Sequence, residues 1–370
     1  MLSNALAADR AHIADLEARI LDLERSIAAL HLEKEAAQER LDSYKYPVLT
    51  LPNEIISEIF IHFLPTYPVC PPSTGNLSPT CLTHICRKWR DIALGTPALW
   101  RAMSLSGTHN TFDWLEVWLG RSGCCPLSIR LDEWADGDVP LASELISTVL
   151  LHRARLEHLQ LRLFGPPPVI ETRLPLLSHL DLEFDDDIPN GPITFHEDDV
   201  PLLRAVTLDI LASHSVILPW TQLTSLTLRV ISFDSCGPIL RQTTNLIHCQ
   251  LDLVHDHEES NHVPDITLPH LKSLCCSDNN YGQMSDCIGP LIVPALRSLQ
   301  VTERFLGPYP IGFLTSFVSK SSCKLQDVHI RGERIVPEDL YRMAFPSIRF
   351  VFDSQLVGDE GSMDSDGDSY

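Results

Sequence analysis

Basic residues are scarce in this chain: 28 lysines and arginines stand against 49 aspartates and glutamates, a net charge of −21 over 370 residues. Such a surface repels phosphate backbones and anionic membranes, and no basic run or aromatic-basic stripe offsets it, so protein partners are expected rather than nucleic acid or a membrane. Long apolar runs are missing as well. No window reaches the roughly 18 apolar residues that a span requires, and the opening MLSNALAADRAHIADLEARI has no secretory apolar core, so the expected location is cytoplasm, nucleus or both. Paired-cysteine motifs are absent: the 11 cysteines contain no C-x-x-C and include the adjacent pairs Cys124-Cys125 and Cys275-Cys276, which fits reduced core thiols rather than a disulfide scaffold or a zinc site. No P-loop, G-x-G-x-x-G, G-x-S-x-G or H-E-x-x-H occurs, so an enzyme reading has no residues to stand on and no cofactor is expected. The densest group of metal-ligand types, DLVHDHEESNH at 252–262, has no defined ligand spacing and reads as a solvated loop. What remains is an ordinary composition, 44% hydrophobic and 21% charged, able to bury a core.

The first 45 residues carry apolar positions in strict 3-4 alternation: Ile13, Leu16, Ile20, Leu23, Ile27 and Leu30, continuing through Lys34 and Ala37 to Leu41. Ile at each early a position and Leu at each d position favours a parallel two-stranded coiled coil, with Lys34 fixing register at some cost in stability and Arg19 facing Glu24 of a second helix. Two readings stand side by side, a homodimer through this seam and a single amphipathic helix folded onto its own chain.

A different pattern follows in YPVLTLPNEIISEIFIHFLP, residues 46–65. Pro52 suits a first helical turn, and Asn53 and Glu54 follow where the helix dipole favours them. The apolar set Ile55, Ile56, Ile59, Phe60, Phe63 and Leu64 is broad enough for two neighbours. After a proline-rich connection, one further helix is expected to carry Leu82, Ile85, Cys86, Trp89, Ile92 and Ala93, followed by GTPALW with Trp100. Some fifty residues of short helices cannot bury that many bulky groups alone, so a partner surface is implied. These two stretches, LPNEIISEIF and LTHICRKWRDIALGTPALW, resemble an F-box, particularly its fungal form. The resemblance covers residues 47–105 and departs from the compact pattern in the long connection from Pro65 to Pro79. It implies that Leu51, Pro52, Glu54, Ile55, Ile56, Ile59 and Phe60, with Leu82, Cys86 and Trp89, build the domain and its contact with the Skp adaptor of cullin-RING ubiquitin ligases.

The remainder repeats one phrase, L-x-x-L-x-L, beginning at Leu156, Leu177, Leu203, Leu223, Leu246, Leu271, Leu296 and Leu325, with earlier copies at Trp100 and Cys124 and a degenerate one near Ile348. The spacing and the alternation resemble leucine-rich repeats, short parallel strands joined by return segments and stacked into a curved solenoid. Helical patterns such as LASELISTVLLHRARL and PIGFLTSFVSK fall in the returns. The asparagine of the leucine-rich pattern is absent; its position holds Phe164, Asp185 or Leu211. Polar residues between the ladder's leucines line one strand face, and Arg162, Asp181, Glu183, Asp209, Arg229 and Asp252 form its charged middle, mixed in sign and suited to a segment carrying both signs, with basic targets somewhat favoured by Asp181, Glu183, Asp209 and Asp252.

The expected architecture is therefore multidomain: a coiled-coil helix over 1–45, a small all-α F-box over 46–106, an α/β leucine-rich-repeat-like solenoid with a curved parallel sheet over 107–352, and an acidic tail over 353–370 in which Ser365 sits among acids. The resemblance implies a substrate-recognition subunit that holds a Skp adaptor, and through it cullin, at one end and a target protein at the other. A scaffold or sensor without a degradative outcome uses the same parts.

Overall fold

The computed structural model describes residues 2–43, 47–106, 111–132, 142–164, 173–185, 192–254, 264–278, 288–332 and 334–353. Residues 255–263, which hold most of the His/Asp/Glu cluster, and residues 354–370 with Ser365 lie outside them. No helix among the described residues is long and apolar enough to cross a membrane.

The chain opens with one long helix, α1 (Leu2–Ser43), built from Ala, Leu, Glu, Arg and Ile without an interior Gly or Pro. Next comes α2 (Asn53–Phe63), with Pro52 as its extended N-cap and Pro65 just beyond its extended C-cap Leu64. The proline-rich connection ends at Ser78, whose Oγ accepts from the Thr80 amide and starts α3 (Pro79–Ile85). A single helix was expected from Leu82 to Ala93. The structure instead breaks it at Cys86, extended at φ −156°, and α4 (Arg87–Leu94) starts afresh. The break changes the phase of the apolar stripe, so that Leu82, Ile92 and Ala93 are buried while Ile85 is exposed. Arg90 Nε donates to the Thr83 carbonyl at 2.7 Å, occupying an acceptor at the end of α3.

From Ala102 onward the chain is a ladder. In chain order the strands are β1 (Ala102–Ser106), β2 (Leu127–Asp132), β3 (Leu156–Leu163), β4 (His179–Phe184), β5 (Ile193–Thr194), β6 (Ala205–Leu208), β7 (Val216–Ile217), β8 (Ser225–Ile231), β9 (His248–Leu253), β10 (Ile266–Thr267), β11 (Ser273–Asp278), β12 (Leu291–Ile292), β13 (Ser298–Thr302), β14 (Asp327–Arg331) and β15 (Arg349–Asp353). Eleven of them form one sheet in the order β1-β2-β3-β4-β6-β8-β9-β11-β13-β14-β15, every described pairing parallel. The short pairs β5/β7 and β10/β12 lie in the returns. Helices α5 (Thr111–Arg121), α6 (Ala142–Leu150), α7 (Ile210–Ser215), α8 (Phe233–Gln242), α9 (Pro310–Ser321) and α10 (Glu338–Ala344) occupy other returns.

The register follows the repeated phrase. Its fourth residue forms one continuous row, from Leu159 through Leu180, Val206, Leu226, Cys249, Leu274 and Leu299 to Val328, and each of these is buried. The copy expected from Cys124 is displaced by two residues, because Ile129 rather than Leu127 stands opposite Met103. Leu127, Ile129 and Leu131 all point to the core, and a slip of two keeps the same face inward, so alternation alone does not distinguish the two alignments.

One strand departs from alternation. After Leu226 and Leu228 the next buried residue of β8 is Ile231, because Val230 takes φ +52° and the pairing with β9 shifts between Leu228 and Ile231. A β-branched residue in the left-handed region is strained by about 1–2 kcal/mol. Val230→Asn should therefore raise the urea midpoint by an amount equivalent to about 1 kcal/mol, since Asn tolerates that region and Val230 is an exposed side chain. A lowered midpoint in equilibrium unfolding would contradict this.

Candidate partner-binding site

On α2 the apolar residues divide into two rows. Ile56 and Phe60 are buried, and the Phe60 ring meets the Trp89 ring of α4 edge-on at 4.9 Å. Ile55, Ile59 and Phe63, four residues apart, are 48%, 46% and 40% exposed and form an uncovered strip beside the buried one. Pro52 and Glu54 are exposed at its head. Behind the strip the packing is closed: Lys88 Nζ donates to the Leu49 and Leu51 carbonyls at 2.7 and 3.1 Å, and Trp100 Nε1 donates to the Ala93 carbonyl at 2.9 Å. The uncovered row is thus carried by a helix held on its other side.

The residues that the F-box resemblance points to fall into separate groups. Pro52, Glu54, Ile55 and Ile59 are exposed, Leu51, Cys86 and Trp89 are half-buried, and Ile56, Phe60 and Leu82 are buried in the packing behind α2. Phe63 joins the exposed strip although the sequence reading left it out of the contact set; its spacing of four from Ile59 was the available signal. No family model and no curated protein matches the chain.

The proline-rich connection lies against the strands. Tyr67 Oη donates to Glu157 Oε2 at 2.9 Å, Ser128 Oγ donates to the Pro68 carbonyl at 2.7 Å, and the Arg101 guanidinium sits 3.8 Å above the Tyr67 ring. Its extra length relative to the compact pattern thus joins the helices to β2 and β3. The Tyr67 ring also meets His158 at 5.3 Å, and His158 stacks on His179 at 4.4 Å. Burial, reinforced by the neighbouring His179, pushes the His158 imidazole down to about 4. Unfolded His158 takes a proton below its ordinary value of 6.5 while the folded residue does not, so stability falls as pH drops from 6.5 towards 4. Discounted for its partial exposure, the loss is about 1 kcal/mol. Thermal unfolding between those values should show this slope, and His158→Gln should flatten it; an equal slope in both proteins would contradict the assignment.

The polar strand face carries a connected set of charges. Arg130 and Arg162 bridge Asp132 at 3.0 and 3.7 Å, Arg162 reaches Glu183 at 3.0 Å, and Arg229 reaches both Asp181 and Glu183 at 3.2 Å. Burial pushes the Asp181 carboxyl up, against the pull of Arg229. Two of the expected acids are paired with arginines: Arg229, two strands away, reaches Asp181 and Glu183, and Arg162, one strand away, reaches Glu183. Asp209 leaves the patch altogether: its Oδ1 accepts from the Ala212 amide at 2.8 Å as the N-cap of α7, and its Oδ2 accepts from the Phe184 amide at 3.2 Å. Asp252 does lie on this face, opposite Ser277, whose Oγ donates to it at 3.4 Å. The face is mixed in sign, as its residue types imply, and without Asp209 it carries less of the acid that would favour basic targets. Among the described residues no group of His, Cys, Asp or Glu could hold a metal ion.

Proposed function

We propose that this chain is a substrate-recognition subunit of a Skp-cullin-F-box ubiquitin ligase. In this reading the F-box expected over 46–106 docks a Skp adaptor through α2, the adaptor brings cullin, and the leucine-rich-repeat-like solenoid expected over 107–352 receives a target protein; its boundary moves to Ala102, because β1 (Ala102–Ser106) belongs to the sheet and not to an all-α unit. The observation that carries it is the uncovered row Ile55, Ile59 and Phe63 on a helix whose neighbouring row, Ile56 and Phe60, is buried, lying within the motif that resembles an F-box. Covering three half-exposed apolar side chains contributes about 3 kcal/mol, a useful core for an interface that polar rim contacts then complete. The consecutive parallel order of the sheet supports the solenoid reading. Target contact is assigned to the polar face around Arg162, Asp181, Glu183, Arg229 and Asp252, where paired charges of both signs select a partner by geometry. The chain supplies position and no chemistry, and works in the cytoplasm or nucleus.

Reconstitution tests the whole reading. Immobilised full-length protein should retain cullin only when a Skp adaptor is present. Adaptor retained without cullin would favour the non-degradative scaffold, and neither retained would remove the assignment.

A further inference from the structure

The heptad helix has no role in adaptor or target binding as proposed, and among the described residues nothing covers its seam. Ile13, Leu16, Ile20, Leu23, Ile27 and Leu30 are between 41% and 64% exposed along α1, so the helix does not fold back onto the described residues of its own chain. We propose that α1 pairs with α1 of a second copy of this chain in a parallel, in-register, two-stranded coiled coil.

Several features select that occupant. A seam of two positions in seven is narrower than the face a helix presents to a globular core, and its strict 3-4 spacing matches another helix with the same repeat. Leu6 extends the a row by one heptad at the N-terminal end and is likewise exposed. Ile at a with Leu at d packs best in two strands rather than three or four. At 42 residues the helix is about 63 Å long, enough for several successive layers. Charge agrees with the parallel arrangement. Arg19 stands at a g position and Glu24 at the following e position, so each Arg19 meets the partner subunit's Glu24, twice by symmetry; His12 and Glu17 repeat the relation. Lys34, the polar a residue, lies beside the partner subunit's Glu33 at g, and its register is lost if the strands slip by a heptad. Pairing places two α2 strips and two sheets in one particle, so a target with two recognition segments is held at raised effective concentration.

Sedimentation equilibrium of the full-length protein at micromolar concentration tests this. The wild type should sediment at twice the 41.5 kDa chain mass. Leu23→Asp should weaken pairing more than about 100-fold, since a carboxylate enters an apolar seam, and yield the monomer with the thermal midpoint of the sheet unchanged. Ile20→Cys, mildly oxidised beside a wild-type control, should cross-link the parallel pair through the added thiol. A monomeric wild type, a trimer or tetramer, a dimer indifferent to Leu23→Asp, or a dimer without the Ile20→Cys cross-link would each overturn the proposal.

Discussion

Ile55→Asp combined with Ile59→Asp should abolish capture of a Skp adaptor while leaving the protein folded. Both side chains stand nearly half exposed in the single chain, so two carboxylates there meet water and cost little. In a complex they would be desolvated against an apolar partner surface. Loss of two aliphatic anchors together with that desolvation amounts to about 4–6 kcal/mol, three or more orders of magnitude in affinity. Pull-down against immobilised adaptor, with thermal unfolding of both proteins in parallel, reads the two effects separately. Retained binding would remove the α2 strip from the interface. A collapsed thermal midpoint would instead show that the strip is part of the fold.

Phe60→Ala should produce the opposite combination. Phe60 is 1% exposed and packs edge-on against Trp89, so truncation leaves a cavity between α2 and α4 and costs about 3–5 kcal/mol. Adaptor binding should fall because the helix is no longer held, and the unfolding midpoint should fall with it. The two variants together separate the row that contacts a partner from the row that positions it. A Phe60→Ala protein with an unchanged midpoint would contradict the packing described for these helices.

The sequence made the ladder legible because the fourth residue of each phrase is apolar in every copy, and even Cys249 and Val328 keep the place of a leucine. Slips of two residues were beyond its reach, since Leu127 and Ile129 are equivalent to a period-two pattern. The break at Cys86 was hidden for a related reason: helical spacing runs unbroken through Leu82, Ile85, Trp89 and Ile92, and only the backbone shows where the phase changes. On the charged face the residue types were readable and their pairing was not. That Arg229 crosses to Asp181 and Glu183, and that Asp209 caps α7, depends on which strands lie side by side and on where β6 ends, neither of which period-two alternation specifies. For α2 the broad stripe implied two neighbours, of which the described residues supply one. Division of that stripe into a buried and an exposed row required knowing which side α4 takes.

Isothermal titration of a purified Skp adaptor into the full-length protein, repeated at several temperatures, addresses the central claim most directly. The account predicts saturable binding of one adaptor per chain with a negative heat-capacity change, the signature of apolar surface leaving water. No heat at micromolar concentrations at any temperature, or binding whose heat-capacity change is zero, would contradict it.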